Sequence, residues 1–186
     1  MKFEVTASII ESHIRTSFEN NKISTEFWKQ GPINEILPEF KVLKVEPDNK
    51  FSFWAYISVG SWQLFENSKL EFVILALQED QKHVERLAMT AFYHSLHRLG
   101  LNHTFPLGEP WVENSTLEYC LVSRPYPLGI DFEICKIEDA HLHFFWLLPI
   151  TEKERNFKIE KGVEALEERF EEVELEFWDF ERNSVV

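Results

Sequence analysis

The spacing of apolar positions changes several times along the chain. Ile10, Ile14 and Phe18 recur every fourth residue and predict one face of a helix over residues 5–18. Residues 26–38 hold Phe27, Trp28, Gly31-Pro32 and Leu37-Pro38 and read as a turn-rich connector. Phe40, Val42 and Val45 predict a strand closed by Pro47-Asp48-Asn49. From Phe51 to Val59 the period is two. Phe51, Phe53, Ala55, Ile57 and Val59 share one face, and Ser52, Trp54, Tyr56 and Ser58 share the other. Leu70 to Leu77 is continuously apolar after Glu71, the pattern of a central strand covered on both faces.

The longest helical pattern spans residues 80–99. Val84, Leu87, Ala88, Ala91, Phe92, Leu96 and Leu99 form its stripe, and Gly100 is expected to end it. A loop carrying Pro106, Gly108, Pro110 and Trp111 follows. Tyr119 to Ser123 reads as a short strand ending at Arg124-Pro125-Tyr126-Pro127. Phe132 to Ile137 and Leu142 to Leu148 read as a hairpin turning at Glu138-Asp139-Ala140, and Pro149 is expected to stop its second strand. Thr151 followed by Glu154 is a capping box, in which the two side chains bond each other's backbone N–H groups. It opens a last helix whose buried stripe is Ile159, Val163, Leu166, Phe170 and Val173. Interleaved strands and helices give an α/β (α+β) fold, a mixed, largely antiparallel sheet with helices packed on it. The 186 residues fit a single domain, 1–186.

Composition narrows the function classes. With 44% hydrophobic residues and 17 Phe the chain can bury a core, which excludes a disordered protein. No apolar run approaches the roughly 18 residues of a membrane span. The N-terminus lacks the basic-then-apolar profile of a secretory signal, and two cysteines are too few for a disulfide scaffold, so a cytoplasmic location is expected. A formal charge of −13 opposes binding to nucleic acid or anionic membrane and suits a basic partner.

Catalytic patterns are sparse. His94 and His97 sit three apart on the predicted helix with His103 nearby, and such a group with a carboxylate could serve a metal-dependent hydrolase using His94 and His103. The helical wheel argues against it: His97 points away from the apolar stripe and His94 lies on its flank, as in a solvated pair. His141 and His143 share a strand face and read as exposed edge polars. Cys120 and Cys135 lie among apolar strand residues and read as buried, inert thiols. No Gly-x-Ser-x-Gly elbow, Walker loop or paired-cysteine motif occurs. Neither a cofactor nor a metal is expected, and no catalytic residue is assigned.

Charge is the most unusual feature. From Glu164 to Glu181 there are nine acids and one base, Arg169. Glu164/Glu168, Glu167/Glu171 and Glu168/Glu172 are like-charge pairs four apart, each costing on the order of 0.2–0.5 kcal/mol. These acids lie outside the buried stripe. One reading is a merely solvated helix face. The other is a surface that Glu164, Glu167, Glu168, Glu171 and Glu172 offer to a basic protein, with Trp111, Tyr126 and Trp178 as rigid aromatic anchors. Trp111 and Tyr126 equally fit a role covering a sheet end.

Several segments together resemble the bacterial suppressor-of-fused-like family. They include Phe53-Trp54-Ala55-Tyr56-Ile57-Ser58-Val59-Gly60, Leu99-Gly100-Leu101-Asn102-His103-Thr104, Gly108-Glu109-Pro110-Trp111 and Pro125-Tyr126-Pro127-Leu128-Gly129. The most distinctive is Phe145-Trp146-Leu147-Leu148-Pro149-Ile150-Thr151, continuing into Glu152-Lys153-Glu154-Arg155. Arg182-Asn183-Ser184-Val185-Val186 looks like the family's terminus. The resemblance implies an α/β domain with a mixed sheet. Many bacterial members are proposed as immunity proteins beside polymorphic toxins, often nucleases, and the animal relative is a non-enzymatic binding protein. It therefore implies a cytoplasmic immunity protein (antitoxin) that binds a basic toxin domain. The alternative is an intracellular regulatory protein-binding domain without a toxin. The family supplies no catalytic residues.

Overall fold

The computed structural model describes residues 6–137 and 140–186. The chain divides into two compact units. One holds residues up to Leu99 together with Arg124–Trp146, and the other holds Gly100–Ser123 with Leu147–Val186. The fold is mixed α/β with a largely antiparallel open sheet, as expected.

The first unit opens with helix α1 (Ala7–Ser17). The Thr6 hydroxyl accepts the Ile9 N–H at its start, and the predicted face of Ile10, Ile14 and Phe18 is buried. The expected connector contains more structure than its turn residues indicate. Strand β1 (Ile23–Phe27) precedes it and a single helical turn, α2 (Ile33–Ile36), sits within it. Strands β2 (Lys41–Val45) and β3 (Trp54–Val59) then form an antiparallel pair, with Lys41 opposite Val59 and Val45 opposite Ala55. The Asp48 carboxylate closes the turn between them by accepting the Lys50 and Phe51 N–H groups at 2.8 and 2.7 Å.

Strand β3 departs from its alternating pattern. Tyr56 and Ser58, on the face opposite Ala55 and Ile57, are fully buried, so this strand is covered on both faces. Strand β4 (Leu70–Ala76) is buried throughout, as its apolar run predicts. It pairs antiparallel with β3 and parallel with β8 (Ala140–Ile150), Leu70 opposite His143 and Val73 opposite Trp146. Helix α3 (Lys82–His97) buries Val84, Leu87, Ala88 and Ala91. It ends one turn before Gly100: Arg98 takes the left-handed conformation, φ 48°, and its N–H bonds the His94 carbonyl. Leu96, within the helix, lies on the face turned away from Leu87 and Ala91 and is exposed, against expectation. After a helical turn, α4 (Ile130–Glu133), strand β7 (Ile134–Ile137) pairs antiparallel with the start of β8. This is the predicted hairpin; Glu138 and Asp139 of its turn lie outside the described residues.

The second unit contains the antiparallel pair β5 (Thr104–Pro106) and β6 (Tyr119–Ser123). The end of β8 runs through Pro149 to Ile150 rather than stopping there. Proline lacks only the N–H; its buried residue still offers a carbonyl, which accepts from Arg182 Nη2 at 3.1 Å. The single last helix is two. Helix α5 (Glu152–Lys161) and helix α6 (Val163–Glu172) are broken at Gly162, whose φ of +98° no helix admits. The break resets the helical phase, so Ile159 and Val173, placed in one continuous stripe by the sequence, are exposed while Leu166 and Phe170 are buried.

The capping box forms at the start of α5. The Glu154 N–H donates to the Thr151 hydroxyl at 3.1 Å and the Thr151 N–H to Glu154 Oε2 at 2.8 Å. Glu154 is fully buried and does more than cap. Arg182 donates from Nη1 to Oε1 at 2.6 Å and from Nη2 to Oε2 at 3.0 Å, and the Val185 N–H reaches Oε1 at 3.1 Å. The Thr151 and Ser184 hydroxyls also bond, at 3.1 Å. The chain's last residues are thereby tied to the start of α5.

Two outcomes follow for stability. Arg182→Ala strands a buried carboxylate and should cost about 3–5 kcal/mol in urea unfolding; Arg182→Lys should recover only part of it, because an ammonium cannot span both oxygens and the Pro149 carbonyl. An unchanged midpoint in Arg182→Ala would mean that solvent replaces the guanidinium. In the first unit Trp146 is buried, as are Leu142 and Phe144 on the same strand face, so Trp146→Ala should cost about 3–5 kcal/mol by the same measurement.

Candidate partner-binding site

The acidic residues stand where the sequence places them. Glu164, Glu168, Glu171 and Glu172 are exposed on α6, and Glu167 is half-buried at the edge of that face, while Leu166 and Phe170 point inward. Their only intrahelical counter-charge is Arg169, which pairs with Glu172 at 2.6 Å on the exposed surface. Such a pair contributes little to stability. Glu164 lies near the positive end of the helix dipole, but Glu171 and Glu172 lie at its negative end, where acids are disfavoured. The helix tolerates this arrangement because its stability comes from the buried stripe.

The proposed aromatic anchors separate. Trp111 is not an anchor: it is 1% exposed and packs at 5.5 Å from Phe180, whose carbonyl accepts from the Ser115 hydroxyl. It is a core residue of the second unit. Trp178 is half-buried in the same unit as α6, with its ring edge against Phe177 at 4.9 Å. Tyr126 is 60% exposed and belongs to the first unit. Pro127 and Leu128 beside it line a cleft of about 270 Å³ together with Phe18, Phe51 and Phe132.

The histidines do not form a solvated pair. His94 is fully buried, with the rings of Phe65 and Phe72 edge-on at 5.0 and 5.6 Å, and neither ring nitrogen has a hydrogen-bond partner among the described residues. Burial among aromatic rings, with Arg98 adding repulsion, lowers its pKa to about 4 and keeps it neutral. His97 is exposed and lies over Tyr93, 4.2 Å between centroids. His103 belongs to the second unit, where its Nδ1 accepts the Gly100 N–H. His143, expected at an exposed edge, is half-buried, and burial lowers its pKa. Both cysteines are buried, as expected, and burial raises the pKa of Cys135. No group of three or more His, Cys, Asp and Glu side chains among the described residues is arranged to hold a metal.

Sequence reasoning missed Glu71. It reads as an isolated acid at the head of an apolar run, and that contrast was its only signal. The side chain is fully buried. Oε1 accepts the Gly60 and Trp62 N–H groups at 2.7 and 3.2 Å, and Oε2 accepts the Ser58 hydroxyl, which itself accepts the Phe72 N–H. The carboxylate thus closes the start of the 3-10 turn Ser61–Gln63. Gly60 is required there: φ is +148°, and a Cβ would stand 3.3 Å from the Phe40 Cα.

Comparison with known proteins follows from this fold. Residues 37–183 match the suppressor of fused protein (SUFU) family. The chain belongs to the suppressor of fused family. Among solved structures, a SUFU homologue from Neisseria gonorrhoeae is 35% identical, with a TM-score of 0.85, covering 97% of this chain and 96% of that one. A chain of a Sufu–Fu complex has 14% identity and a TM-score of 0.62, covering 96% and 91%. Drosophila Suppressor of Fused has 14% identity and a TM-score of 0.64, covering 95% of this chain and 50% of that one. The last two share the fold. No curated protein matches the chain.

Glu71 generates a pH test. Burial, opposed by its hydrogen bonds, raises its pKa from 4.5 to about 7. The folded state therefore holds this proton more tightly than the unfolded chain. The stabilisation is present at low pH and is lost as pH rises from about 4.5 to about 7. Relative to Glu71→Gln, which cannot titrate, the natural protein should lose about 3 kcal/mol between pH 4.5 and 8. Urea unfolding of both proteins across that range checks it; a constant difference would show that Glu71 titrates as an ordinary carboxyl.

Proposed function

We propose that this suppressor-of-fused domain, one domain over residues 1–186, is a cytoplasmic, non-enzymatic immunity protein. It neutralises a basic toxin domain, such as a nuclease, through the acidic face of α6. The observation that carries the reading is the concentration of Glu164, Glu167, Glu168, Glu171 and Glu172 on one accessible helix face with a single local cation. Such a face raises the rate of encounter with a basic protein by electrostatic steering. Trp178, half-buried in the same unit, would supply an aromatic contact. The family match from residue 37 to 183 draws on both compact units, which supports treating them as one family domain. Among the described residues no helix is long and apolar enough to cross a membrane.

A regulatory partner in place of a toxin is the second reading. It is favoured by the structural likeness to a chain seen in a Sufu–Fu complex. A hydrolase centre on His94 and His103 gains no support, because His94 is sealed between aromatic rings.

The acidic-face reading is tested with Glu164, Glu167, Glu168 and Glu171 changed together to Gln. Relief of like-charge repulsion should leave the melting temperature equal or slightly higher. Co-expression with the toxin domain encoded beside the gene should show rescue by the natural protein. The association rate of the Gln variant should fall, and its salt dependence should flatten. An unchanged association rate would return α6 to a solvated surface.

A further inference from the structure

Strand β1 leaves one edge of the first unit open. Among the described residues it pairs only with β2, Ile23 opposite Val45 and Phe27 opposite Lys41. The Glu46 N–H donates to the Lys22 carbonyl at 2.9 Å in the same register. Antiparallel pairing alternates, so Lys22, Ser24 and Glu26 turn their peptide groups toward β2. Ile23, Thr25 and Phe27 turn theirs outward, as a regular row of N–H and C=O groups along the outer edge.

Edge strands are ordinarily guarded against pairing by proline, a bulge or a free charge. Strand β1 contains no proline, and its register against β2 runs without a bulge. The charges on and beside it are engaged by its own sheet: Lys22 pairs with Glu46 at 2.7 Å and Glu26 with Lys44 at 3.1 Å. The outward positions are Ile, Thr and Phe, residues that favour strands, and Phe27 is 57% exposed.

The order of side chains identifies the occupant. Two copies of β1 laid antiparallel about a two-fold axis at Thr25 bring Ile23 opposite the second copy's Phe27, and Ser24 opposite its Glu26. Apolar meets apolar on one face, hydroxyl meets carboxylate on the other, and no like charges meet. Every outward N–H of one copy then faces an outward C=O of the other. An axis at any other residue leaves part of the strand unpaired, and an axis at Glu26 sets that carboxylate against itself.

We propose that β1 is a dimerisation edge, where a second copy of this chain adds its own β1 antiparallel and continues the sheet. The seam is short. Its five residues a side fall well below the roughly 20–30 of a stable interface, so the dimer forms reversibly with concentration. Each copy carries a net charge of −13, so repulsion opposes pairing and salt favours it by screening. The acidic face of α6 belongs to the other unit, and the pairing does not depend on it.

The test is sedimentation equilibrium of the purified full-length chain over a range of protein concentration and salt. The natural protein should pass from one copy to two as concentration rises, and sooner in higher salt. Backbone hydrogen exchange should slow with concentration at Ile23, Thr25 and Phe27 and stay constant at Ser24 and Glu26, whose N–H groups β2 already holds. Phe27→Lys places a guarding charge on the edge and should weaken association at least about tenfold. Thr25→Pro removes the N–H at the two-fold axis and should abolish it. Both variants should melt near the natural protein, since one changes an exposed side chain and the other removes an outward N–H, a place where an edge strand tolerates proline. Leu96→Glu, on the outer side of α3, should dimerise as the natural protein does. A chain that stays monomeric at every concentration would overturn the proposal. So would a dimer retained by Phe27→Lys or Thr25→Pro, one dissolved by Leu96→Glu, or one that salt weakens.

Discussion

The buried contact between Arg182 and Glu154 fixes the end of the chain. Its parts come from positions 28 residues apart in sequence. Glu154 closes the first turn of α5 through Thr151, and its remaining lone pairs go to Arg182 and the Val185 N–H. Arg182 in turn satisfies the carbonyl of Pro149 at the end of β8. A strand end, a helix start and the chain's last residues thus share one carboxylate. A buried ion pair is poor evidence of net stabilisation, because desolvating two charges offsets much of their attraction. Its consequence here is geometric: every donor and acceptor in the cluster has one partner arrangement, so the tail has one place to lie.

Three acids are buried among the described residues, Glu71, Glu133 and Glu154. Glu133 and Glu154 have arginine partners, Arg124 at 3.1 Å and Arg182 at 2.6 Å. Glu71 has none and is held by neutral donors. That difference explains why burial lifts the pKa of Glu71 to about 7. Yet Glu71 and Glu154 do the same local work. Each sits under the opening turn of a short helix and accepts N–H groups that have no partner within that turn. One does so with a fixed charge beside it, and the other with its proton balance open to the surroundings.

Local patterns carried most of the secondary structure. Four-residue spacing located α1, continuous apolarity located β4, and Thr151 with Glu154 located the cap of α5. What failed was set by tertiary context. Strand β1 has too few apolar residues to show a period, and its pairing with β2 supplies what its sequence does not announce. Strand β3 alternates in sequence but is covered on both faces, so Tyr56 and Ser58 needed buried partners that only the fold provides. Gly162 looked like one more helical position until its backbone left the helix. The acids of α6 were legible as an exposed face because they fall off the apolar stripe of Leu166 and Phe170. Trp111 was not, since a loop tryptophan reads alike whether it covers a core or meets a partner. The Arg182–Glu154 pairing was invisible, because nothing in the intervening residues encodes which arginine meets a given acid.

Helix α6 gathers acids on its accessible side, with like charges stacked four apart and two of them at the wrong end of the helix dipole. Helix α3 leaves Met89 and Leu96 exposed on its outer side. Neither arrangement is what stability alone would select. Replacing Glu168 or Glu172 with a neutral residue relieves repulsion, and replacing Leu96 or Met89 with a polar one removes exposed apolar area without opening the core. The core gains nothing from either arrangement: the interior faces of both helices are complete with Leu166 and Phe170 on one and Leu87, Ala88 and Ala91 on the other. Each outer face is therefore free of any role in the core.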